Sequence, residues 1–189
     1  MKLIKQKYTD EVVPKLMADF GYTNKMAVPK LTKVTLNVGV GRGLTEASFN
    51  ELIENTLQRI TGQKPAQTKA RKSIAAFKIR DGMVVGYKTT LRGQRMYDFL
   101  DKLVNIALPR VRDFHGLDPK KNLDNRGNLT LGFKEHVIFP EIKFDEVERV
   151  HGLEVSVTNT AKSRDEGLAL FKLLGFPWQQ EELKKDNKK

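Results

Sequence analysis

The eleven residues 31–41, "LTKVTLNVGVG", decide the fold because polar and apolar side chains alternate along them. Alternation with a period of two predicts a β-strand that has one buried face and one open face. The apolar face carries Val34, Leu36, Val38 and Val40, and the polar face carries Lys33, Thr35 and Asn37. We therefore expect a strand that covers a core on one side and leaves basic and hydrogen-bonding groups on the other.

A second segment, "MVVGYKTTLRG" at residues 83–93, alternates in the same way. Its apolar face holds Val85, Tyr87, Thr89 and Leu91, and its polar face holds Gly86, Lys88, Thr90 and Arg92. Between the two segments lies "GQKPAQTKA", where a short strand should begin near Pro65. If the three strands are neighbours, they form one polar sheet face that also includes Gln63, Lys64, Thr68 and Lys69.

Apolar stripes with helical spacing predict helices around residues 3–20, 45–62, 94–108 and 163–174. Pro14 should kink or restart the first of these helices. The third should turn Ile106 inward and stop at Pro109. The last should begin with a capping box made by Ser163 and Glu166. Further strands are expected at 128–133 and 152–161, after an irregular region at 110–127.

Strands interleaved with helices, several of them polar on one face only, predict an α+β fold. In such a fold helices pack on one face of a mostly antiparallel sheet and the other face stays open. Residues 1–178 are expected to form a single domain, and the charged tail at 179–189 is expected to be disordered.

Length and composition exclude several classes of protein. The chain has 189 residues and no Cys, so it can bury a core without disulfides and has no thiolate site. Its charged N-terminus predicts no signal peptide, and no apolar run approaches the ~20 residues of a membrane span. We therefore expect a soluble, cytoplasmic protein with no membrane partner.

The positive charge is concentrated in one part of the chain. The net charge is +11, and residues 55–97 carry ten basic side chains against one acidic one, Asp81, for a net +9. A focused excess of this kind marks a surface for a polyanion, whereas a charge that serves only solubility is usually spread and mixed in sign. The distribution favours nucleic acid as the partner.

The polar sheet face has the side chains that RNA binding needs. Lys and Arg neutralise phosphates, while Thr, Asn and Gln hydrogen-bond the 2′-hydroxyls and base edges of the wide RNA minor groove. A solvated sheet would explain the polarity equally well, but not why the same strands carry nearly all the net charge. The paired aromatics of a single-strand-binding sheet are missing, so a structured, partly helical RNA is expected.

Signals for other chemistry are weak. "GVGRG" at 39–43 lies between a strand and a helix, as phosphate loops do, but lacks the spaced glycine or the Gly-Lys-Ser/Thr of such loops. His115, His136 and His151 have no metal-ligand spacing and are expected at the surface or in satisfied core positions. We expect no catalytic residue, metal or cofactor. Two alternatives remain: an RNA-modifying or phosphoryl-transfer enzyme that uses residues 39–43, and a protein-binding regulator with a basic surface.

Several stretches, in order along the chain, closely resemble the bacterial large-subunit ribosomal protein five family. They are "VPKLTKVTLNVGVG", "GQKP…TKARKSIAAFKIR", "VGYKTTLRGQRMYDFLDKL", "LPRVRDFHGL", "RGNLTLGFKEHVIFPEI" and "GLEVSVTNTAKSRDEGLALFKLLGFP". The resemblance runs over about residues 3–178 and implies a sheet like that of an RNA-recognition motif. It also implies a structural role: binding 5S rRNA and helping attach it to the large subunit in the central protuberance.

The resemblance further implies partners and roles for residues. Besides 5S rRNA, the implied partners are 23S rRNA, the P-site tRNA and small-subunit ribosomal protein thirteen, with this chain present as a monomer within the ribosome. Matched by motif, the polar contacts to 5S rRNA would be Asn37, Gln63 and Thr90, with charge beside them from Lys33, Lys64, Lys69 and Arg92. The polar sheet face predicted from the alternation adds Thr35, Thr68 and Lys88 to this set. In the family a loop that projects between two strands reaches the tRNA, and its residues here would be Arg71, Lys72, Ser73, Phe77, Lys78 and Arg80. Two basic clusters and the lack of a regular apolar period predict that the loop from Arg71 to Gly82 is mobile in the free protein. Phe77 either packs on a sugar or anchors the loop.

Overall fold

The structure is a computed structural model and describes residues 3–41, 47–143 and 149–179. Its strands are β1 (Leu31–Gly39), β2 (Ala66–Lys69), β3 (Val84–Leu91), β4 (Leu129–Phe133) and β5 (Leu153–Asn159). They form one sheet in the order β2-β3-β1-β5-β4. The predicted strands are all present, and the α+β fold class with an antiparallel sheet is confirmed.

The helices are α1 (Ile4–Lys7), α2 (Val13–Phe20), α3 (Ala47–Thr61), α4 (Gly93–Lys102), α5 (Leu108–Arg110), α6 (Pro119–Asn122) and α7 (Arg164–Leu174). Two π-helical stretches, Tyr8–Val12 and Leu103–Ala107, join α1 to α2 and α4 to α5. Short 3₁₀ turns lie at Lys25–Ala27, Ala75–Phe77 and His136–Ile138.

The chain forms two compact units. The first unit contains residues 1–33, 92–131 and 156–189, and the second unit contains residues 34–91 and 132–155. A single domain over residues 1–178 remains a prediction. The disorder of the 179–189 tail also remains one, because residues 180–189 lie outside the described part of the chain.

In the second unit, burial on one side fixes the phase of β1. Val34, Leu36 and Val38 are almost fully buried, whereas Asn37 is exposed. Burying each such side chain contributes roughly 1.5–3 kcal/mol, and a one-residue slip would move the whole set to solvent. Helix α3 packs against β3 and supplies its own buried stripe, which includes Ile53 and Leu57. The hydrophobic pattern thereby leaves the opposite face of the strands open.

The first unit packs α1 against α4, and α7 against α2 and the Tyr8–Val12 stretch. The backbone N–H of Ile4 donates to Asp101 Oδ1 at 2.9 Å, which ties the N-terminal helix to α4. Burial raises the pKa of the Asp101 carboxyl. Val12, Leu16, Leu100 and Phe171 are completely buried in this unit, so its core contains both aliphatic and aromatic side chains.

Both helix-interior prolines follow a π-helical stretch. Pro14 lies in α2 directly after Tyr8–Val12, and Pro109 lies in α5 directly after Leu103–Ala107. Proline has no N–H to donate and its ring crowds the carbonyl four residues earlier; the preceding stretch already departs from i→i−4 bonding. The helix therefore continues through Pro109 to Arg110, and the prediction that Pro109 ends it is wrong.

The π-helical stretch Leu103–Ala107 also changes which residues face the core. Ile106 is 44% exposed, whereas Ala107 is fully buried. A turn closed by i→i+5 bonds holds more residues than an α-helical turn, so Ile106 rotates outward and Ala107 rotates inward. The prediction that Ile106 points inward is therefore wrong, because it assumed an unbroken α-helical period.

The start of α7 matches its predicted capping with one change. The Oγ atom of Ser163 accepts the N–H of Glu166 at 3.3 Å, as a capping box requires. The Glu166 carboxylate accepts the N–H of Lys162 at 2.8 Å, one residue before the cap. Both bonds satisfy donors near the helix start, where the four N–H groups have no intrahelical partner.

The region at 110–127 is less irregular than its sequence predicts. It contains α6, whose first turn is capped by Asp118 through a 2.8 Å bond from the N–H of Lys120. Asp124 then accepts the N–H groups of Arg126 and Asn128 at 2.9 and 2.7 Å. Local side-chain bonds of this kind hold turns that no hydrophobic period reveals.

Candidate nucleic-acid interface

The centre of the candidate interface is the open face of β1 and β3. The two strands are antiparallel, with Thr35 opposite Thr90 and Asn37 opposite Lys88. Directly opposed residues point to the same side of a sheet, with Cβ atoms ~4.5–5.5 Å apart. Asn37 and Lys88 are exposed, and Thr35 and Thr90 are half-buried. The four polar side chains therefore form one compact patch, as the alternation predicts.

Strand β2 adds Thr68 to this patch. Thr68 lies opposite Gly86 of β3, and Gly86 is buried although it belongs to the open face. A Cβ atom at Gly86 would lie 2.9 Å from the carbonyl oxygen of Val38 and 3.0 Å from the Thr68 hydroxyl. Only glycine leaves room for Thr68 to lie over the neighbouring strand. The sequence did not reveal this contact, because a glycine in a strand predicts a close approach without naming the neighbour.

An irregularity in β2 brings Lys69 to the same face as Thr68. The pairing shifts between these two residues, so Lys69 lies opposite Val84 and not opposite Val85. With strict alternation consecutive residues would point to opposite faces, but a bulge breaks that alternation. Both side chains are exposed. The structure thus brings together two predicted residues that an ideal strand would separate.

Gln63 and Lys64 precede β2 and make contacts of their own. The side-chain amide of Gln63 donates to the carbonyl oxygen of Thr90 at 3.5 Å, a long bond that directs Gln63 towards β3. The ammonium group of Lys64 lies 3.2 Å from a carboxylate oxygen of Glu54, and the Lys64 side chain is 77% exposed. An exposed pair of this kind holds its partners weakly, so the Lys64 charge remains accessible.

Lys33 and Arg92 are the two predicted contacts that belong to the first unit. Each is the chain neighbour of a residue in the β1–β3 register, since Lys33 precedes Val34 and Arg92 follows Leu91. Arg92 is exposed and Lys33 is half-buried. Across the residues of β1, β2 and β3 there is no Asp or Glu, so these strands present basic and neutral polar groups alone.

The loop between β2 and β3 has more backbone order than an irregular loop. Ile74 and Ile79 pair across it, with N–H···O bonds of 2.9 and 3.2 Å. The N–H of Asp81 donates to the Ser73 hydroxyl at 3.0 Å, and Lys78 adopts the left-handed conformation at φ 54°. Met83 closes the base by accepting the N–H of Ala70 at 2.8 Å. The loop is a short hairpin extension; its mobility in the free protein remains a prediction.

The predicted tRNA-contacting residues all lie on this extension and are all exposed: Arg71, Lys72, Ser73, Phe77, Lys78 and Arg80. Phe77 is 67% exposed and Ile74 is 45% exposed, so the tip presents apolar surface beside its cations. Phe77 therefore does not anchor the loop by burial in the chain itself. Of the two roles left open for it, packing on a partner is the one its exposure favours.

Two of the three histidines form a buried pair in the second unit. The rings of His136 and His151 stack with centroids 4.0 Å apart, and Phe49 of α3 meets His151 edge-on. The backbone N–H of His151 donates to Nδ1 of the His136 ring at 3.2 Å. Burial lowers the pKa of His136, and burial together with His136 lowers the pKa of His151 to about 4. Both rings are therefore neutral core groups at pH 7, and His115 is exposed, as predicted. Nε2 of His151 is buried without a hydrogen-bond partner among the described residues, so the prediction of a satisfied core position is wrong for this ring.

Other kinds of site find little support in the described part of the chain. Within it, no three His, Cys, Asp or Glu side chains come together as a metal site would require. Residues 42–46 lie outside that part, so the glycine run at 39–43 is described only up to Gly41. Among the described helices, none has the length and apolarity needed to span a bilayer.

Comparisons with known proteins identify the family of the chain. A family model described as "Ribosomal protein L5" matches residues 24–80, and a second model, described as the C-terminus of the same ribosomal family, matches residues 84–178. The chain is 51% identical over 180 residues to the "Large ribosomal subunit protein uL5" of Marinomonas sp. (strain MWYL1), covering 95% of this chain and 100% of that one.

Streptococcal proteins of the same name are similarly close. Identity is 54% over 175 residues to the protein of Streptococcus pyogenes serotype M49 (strain NZ131), covering 93% of this chain and 97% of that one. The same figures hold for Streptococcus uberis (strain ATCC BAA-854 / 0140J). The family models and these relatives together cover nearly the whole chain, so it belongs to the ribosomal protein L5 family, whose members are structural, non-catalytic components of the large ribosomal subunit.

Proposed function

We propose that the open face of β1, β2 and β3 binds 5S rRNA and helps attach it to the large subunit in the central protuberance. The observation that carries the proposal is the register: it places Thr35, Asn37, Lys88 and Thr90 in one patch on two strands, β1 and β3, that contain no carboxylate. Neutral hydrogen-bonding groups lie between cations, as binding to sugars and phosphates of a folded RNA requires.

A structured RNA fits this face better than splayed bases do. Sheets that bind single strands stack bases on exposed aromatic side chains. The aromatic residue of β3, Tyr87, is only 3% exposed and lies on the covered face. The open positions of these strands carry Thr, Asn and Lys, which suit the shallow minor groove of an RNA helix.

Within the face, neutral and charged residues have different tasks. Asn37, Thr90 and Gln63 offer neutral hydrogen-bonding groups, and the paired strands β1 and β3 hold Asn37 and Thr90 in place. Lys33, Lys64, Lys69, Lys88 and Arg92 supply charge beside them. Charge contacts position a protein on RNA and depend on salt, whereas neutral bonds specify the site. Thr35 and Thr68 belong to the specifying group because each carries a neutral hydroxyl on a short side chain that a strand holds in place.

We further propose that the extension from Arg71 to Arg80 reaches the P-site tRNA. Its support is the exposure of Arg71, Lys72, Lys78 and Arg80 around an exposed Phe77. Such a tip suits a phosphate backbone with one sugar packed on the ring. The remaining proposed partners are 23S rRNA and small-subunit ribosomal protein thirteen, met by a single copy of the chain, and these rest on the family resemblance alone.

The central proposal can be tested by competition. The purified full chain is mixed with labelled 5S rRNA, and the complex is challenged with unlabelled 5S rRNA, tRNA or a scrambled RNA of equal length. Specific binding predicts displacement by 5S rRNA at concentrations at least about a hundredfold below those of the scrambled RNA at roughly physiological salt. Equal displacement by all three RNAs would show that the face is only an electrostatic surface.

A further inference from the structure

A concave surface, separate in sequence from the strands discussed above, lies within the first unit. It is a groove of about 630 Å³ between the first helical segment and the residues that lead into β1. We call it the Met26 groove; its lining residues are mainly Tyr8, Val13, Pro14, Met17, Met26 and Val28. Pockets that take small organic groups have volumes of ~300–1,000 Å³, so this one has a suitable size.

The groove has a rigid floor and an open wall. Val28 is 2% exposed, and the Tyr8 hydroxyl donates to the carbonyl oxygen of Pro29 at 3.1 Å, which fixes the Tyr8 ring. Met26, by contrast, is 82% exposed. Its backbone N–H donates to the Asn24 side chain at 2.8 Å, so a capped turn presents the thioether to solvent. A large apolar side chain held outward beside a preformed apolar floor indicates a missing partner.

The charges at the groove indicate the chemistry of that partner. Lys25 and Lys30 also line it and are exposed, and none of its lining residues is acidic. An apolar floor with two cations at its rim complements a flat apolar group that carries negative charge on either side. An unpaired nucleotide has this composition, since its base offers a π-face and the chain continues through a phosphate at each end.

A peptide fits the groove less well than a base does. An extended peptide brings backbone N–H and C=O groups that need partners when they are buried. The groove offers few polar atoms, and the Tyr8 hydroxyl is already bonded to Pro29. A base can bury one face and keep its polar edge in water.

We propose that the Met26 groove receives one unpaired base of the 5S rRNA, with the flanking phosphates on Lys25 and Lys30. The proposal rests on the proposed function, because Lys33 is one of the 5S rRNA contacts and belongs to the same unit. Lys30 precedes Lys33 by three residues, which is ~10 Å of extended chain. An RNA held at Lys33 therefore passes within one or two nucleotides of the groove.

The test is chemical probing of unpaired bases along 5S rRNA, free and bound to the full chain. Wild-type protein should protect one unpaired base that Met26→Ser leaves reactive, with the rest of the footprint unchanged. Affinity should fall about 5- to 10-fold, as for loss of a stacking contact. Ile106→Ser is the control, because Ile106 is an exposed apolar residue of the same unit outside the groove. The control should bind and protect like wild type.

A second pair of variants tests the rim. Replacing Lys25 and Lys30 together by Ala should flatten the slope of log affinity against log salt by between about one and two units, as expected for two lost phosphates. If Met26→Ser and the double variant match the control in footprint, affinity and slope, the groove does not bind 5S rRNA. If wild type itself fails to bind 5S rRNA, the proposed function falls and the groove proposal falls with it.

A protein occupant gives a different result. In that case the 5S rRNA footprint of Met26→Ser equals that of wild type. Large subunits purified from cells that carry the variant then lack, or are depleted in, one ribosomal protein by quantitative mass spectrometry. This combination would overturn the proposal and identify the partner.

Discussion

The open sheet face and the hairpin extension at 71–82 carry the same sign of charge but differ in how their side chains are held. On the face, Asn37 and Thr90 lie on adjacent paired strands, each over a buried apolar neighbour. On the extension, every predicted contact is exposed, and the Ile74–Ile79 pair and a Ser73 bond are what close the loop. The difference shows that basic and polar side chains of similar composition can lie either on paired strands over a core or on an exposed loop extension.

The largest expected effect tests whether the open sheet face depends on the core of the second unit. The His136–His151 pair is neutral in the folded chain, and the pKa of His151 is lowered to about 4, whereas an unfolded His titrates near ~6.5. The stability that neutral His151 contributes is therefore fully present above about pH 6.5 and is lost as pH falls towards 4, because His151 of the unfolded chain binds a proton at higher pH than His151 of the folded chain. We expect this pair to contribute a loss of about 2–3 kcal/mol in the free energy of unfolding.

Urea unfolding between about pH 7.5 and 4 measures that loss. His151→Gln should lower stability at neutral pH but flatten its decline between roughly pH 6.5 and 4.5. His115→Gln is the matched control, because His115 is exposed and should leave the profile of wild type unchanged. A wild-type slope in the His151→Gln variant would mean that other groups cause the acid sensitivity.

The next effect concerns the close contact at Gly86. Gly86→Ala places a methyl group 2.9 Å from the Val38 carbonyl and 3.0 Å from the Thr68 hydroxyl, so a strand or Thr68 must shift. We expect a loss of about 1–3 kcal/mol in unfolding free energy, as for other overpacked sites, with weaker 5S rRNA binding. Gly132→Ala is the control, since its strand position is open. Equal melting temperatures for Gly86→Ala and Gly132→Ala would show that Gly86 has no steric role.

Neutral contacts on the face should affect affinity without affecting salt dependence. Asn37→Ala or Thr90→Val leaves an RNA group unpaired, which costs about 1–3 kcal/mol of binding. Thr130→Val, an exposed threonine of β4, should bind like wild type. Filter binding at three salt concentrations checks both affinity and slope. A slope that changes with Asn37→Ala would contradict its role as a specifying residue.

Replacing a charged residue of the face should instead change the salt dependence of binding. Lys64→Ala or Arg92→Ala should reduce the salt slope by somewhat under about one unit, because each removes one phosphate contact. The Lys64 effect should be the smaller of the two, since Glu54 lies 3.2 Å from its ammonium group. Lys162→Ala, an exposed lysine distant in sequence, serves as the control. The same filter-binding assay measures these slopes. Identical slopes for the neutral and the charged variants would contradict the division into specifying and charge-supplying residues.

The smallest effect on 5S rRNA binding is expected from the extension. Replacing "SIAAFKIR" at 73–80 by a short Gly-Ser linker should change affinity less than about threefold, because its charges act at a distance and are screened by salt. The same variant should release P-site tRNA faster from assembled ribosomes. Collapse of 5S rRNA binding with an unchanged tRNA off-rate would reverse the two assignments.

The sequence predicted the strand faces well because one-sided burial imposes a period of two. It placed Thr68 and Lys69 on one face, but it could not predict the bulge that lets two consecutive residues share that face, because a bulge depends on how two distant segments pair. It misjudged Ile106 because a π-helical turn leaves no mark in composition. The Glu54 partner of Lys64 also needed the fold, since it comes from the preceding helix. Family membership excludes the enzyme alternative, which the incomplete glycine motif alone had left open.

The two helical segments that contain Pro14 and Pro109 also bear on the order in which the chain folds. A helix gains cooperativity from an uninterrupted ladder of bonds, and both segments interrupt theirs within a turn or two of a proline. Neither should persist before its apolar side meets a partner. Helix α7, with its capped start and its left-handed Gly175 at the end, has no such interruption. We expect pulsed hydrogen exchange to protect α7 earlier than α2 or α5, although both precede α7 in the chain.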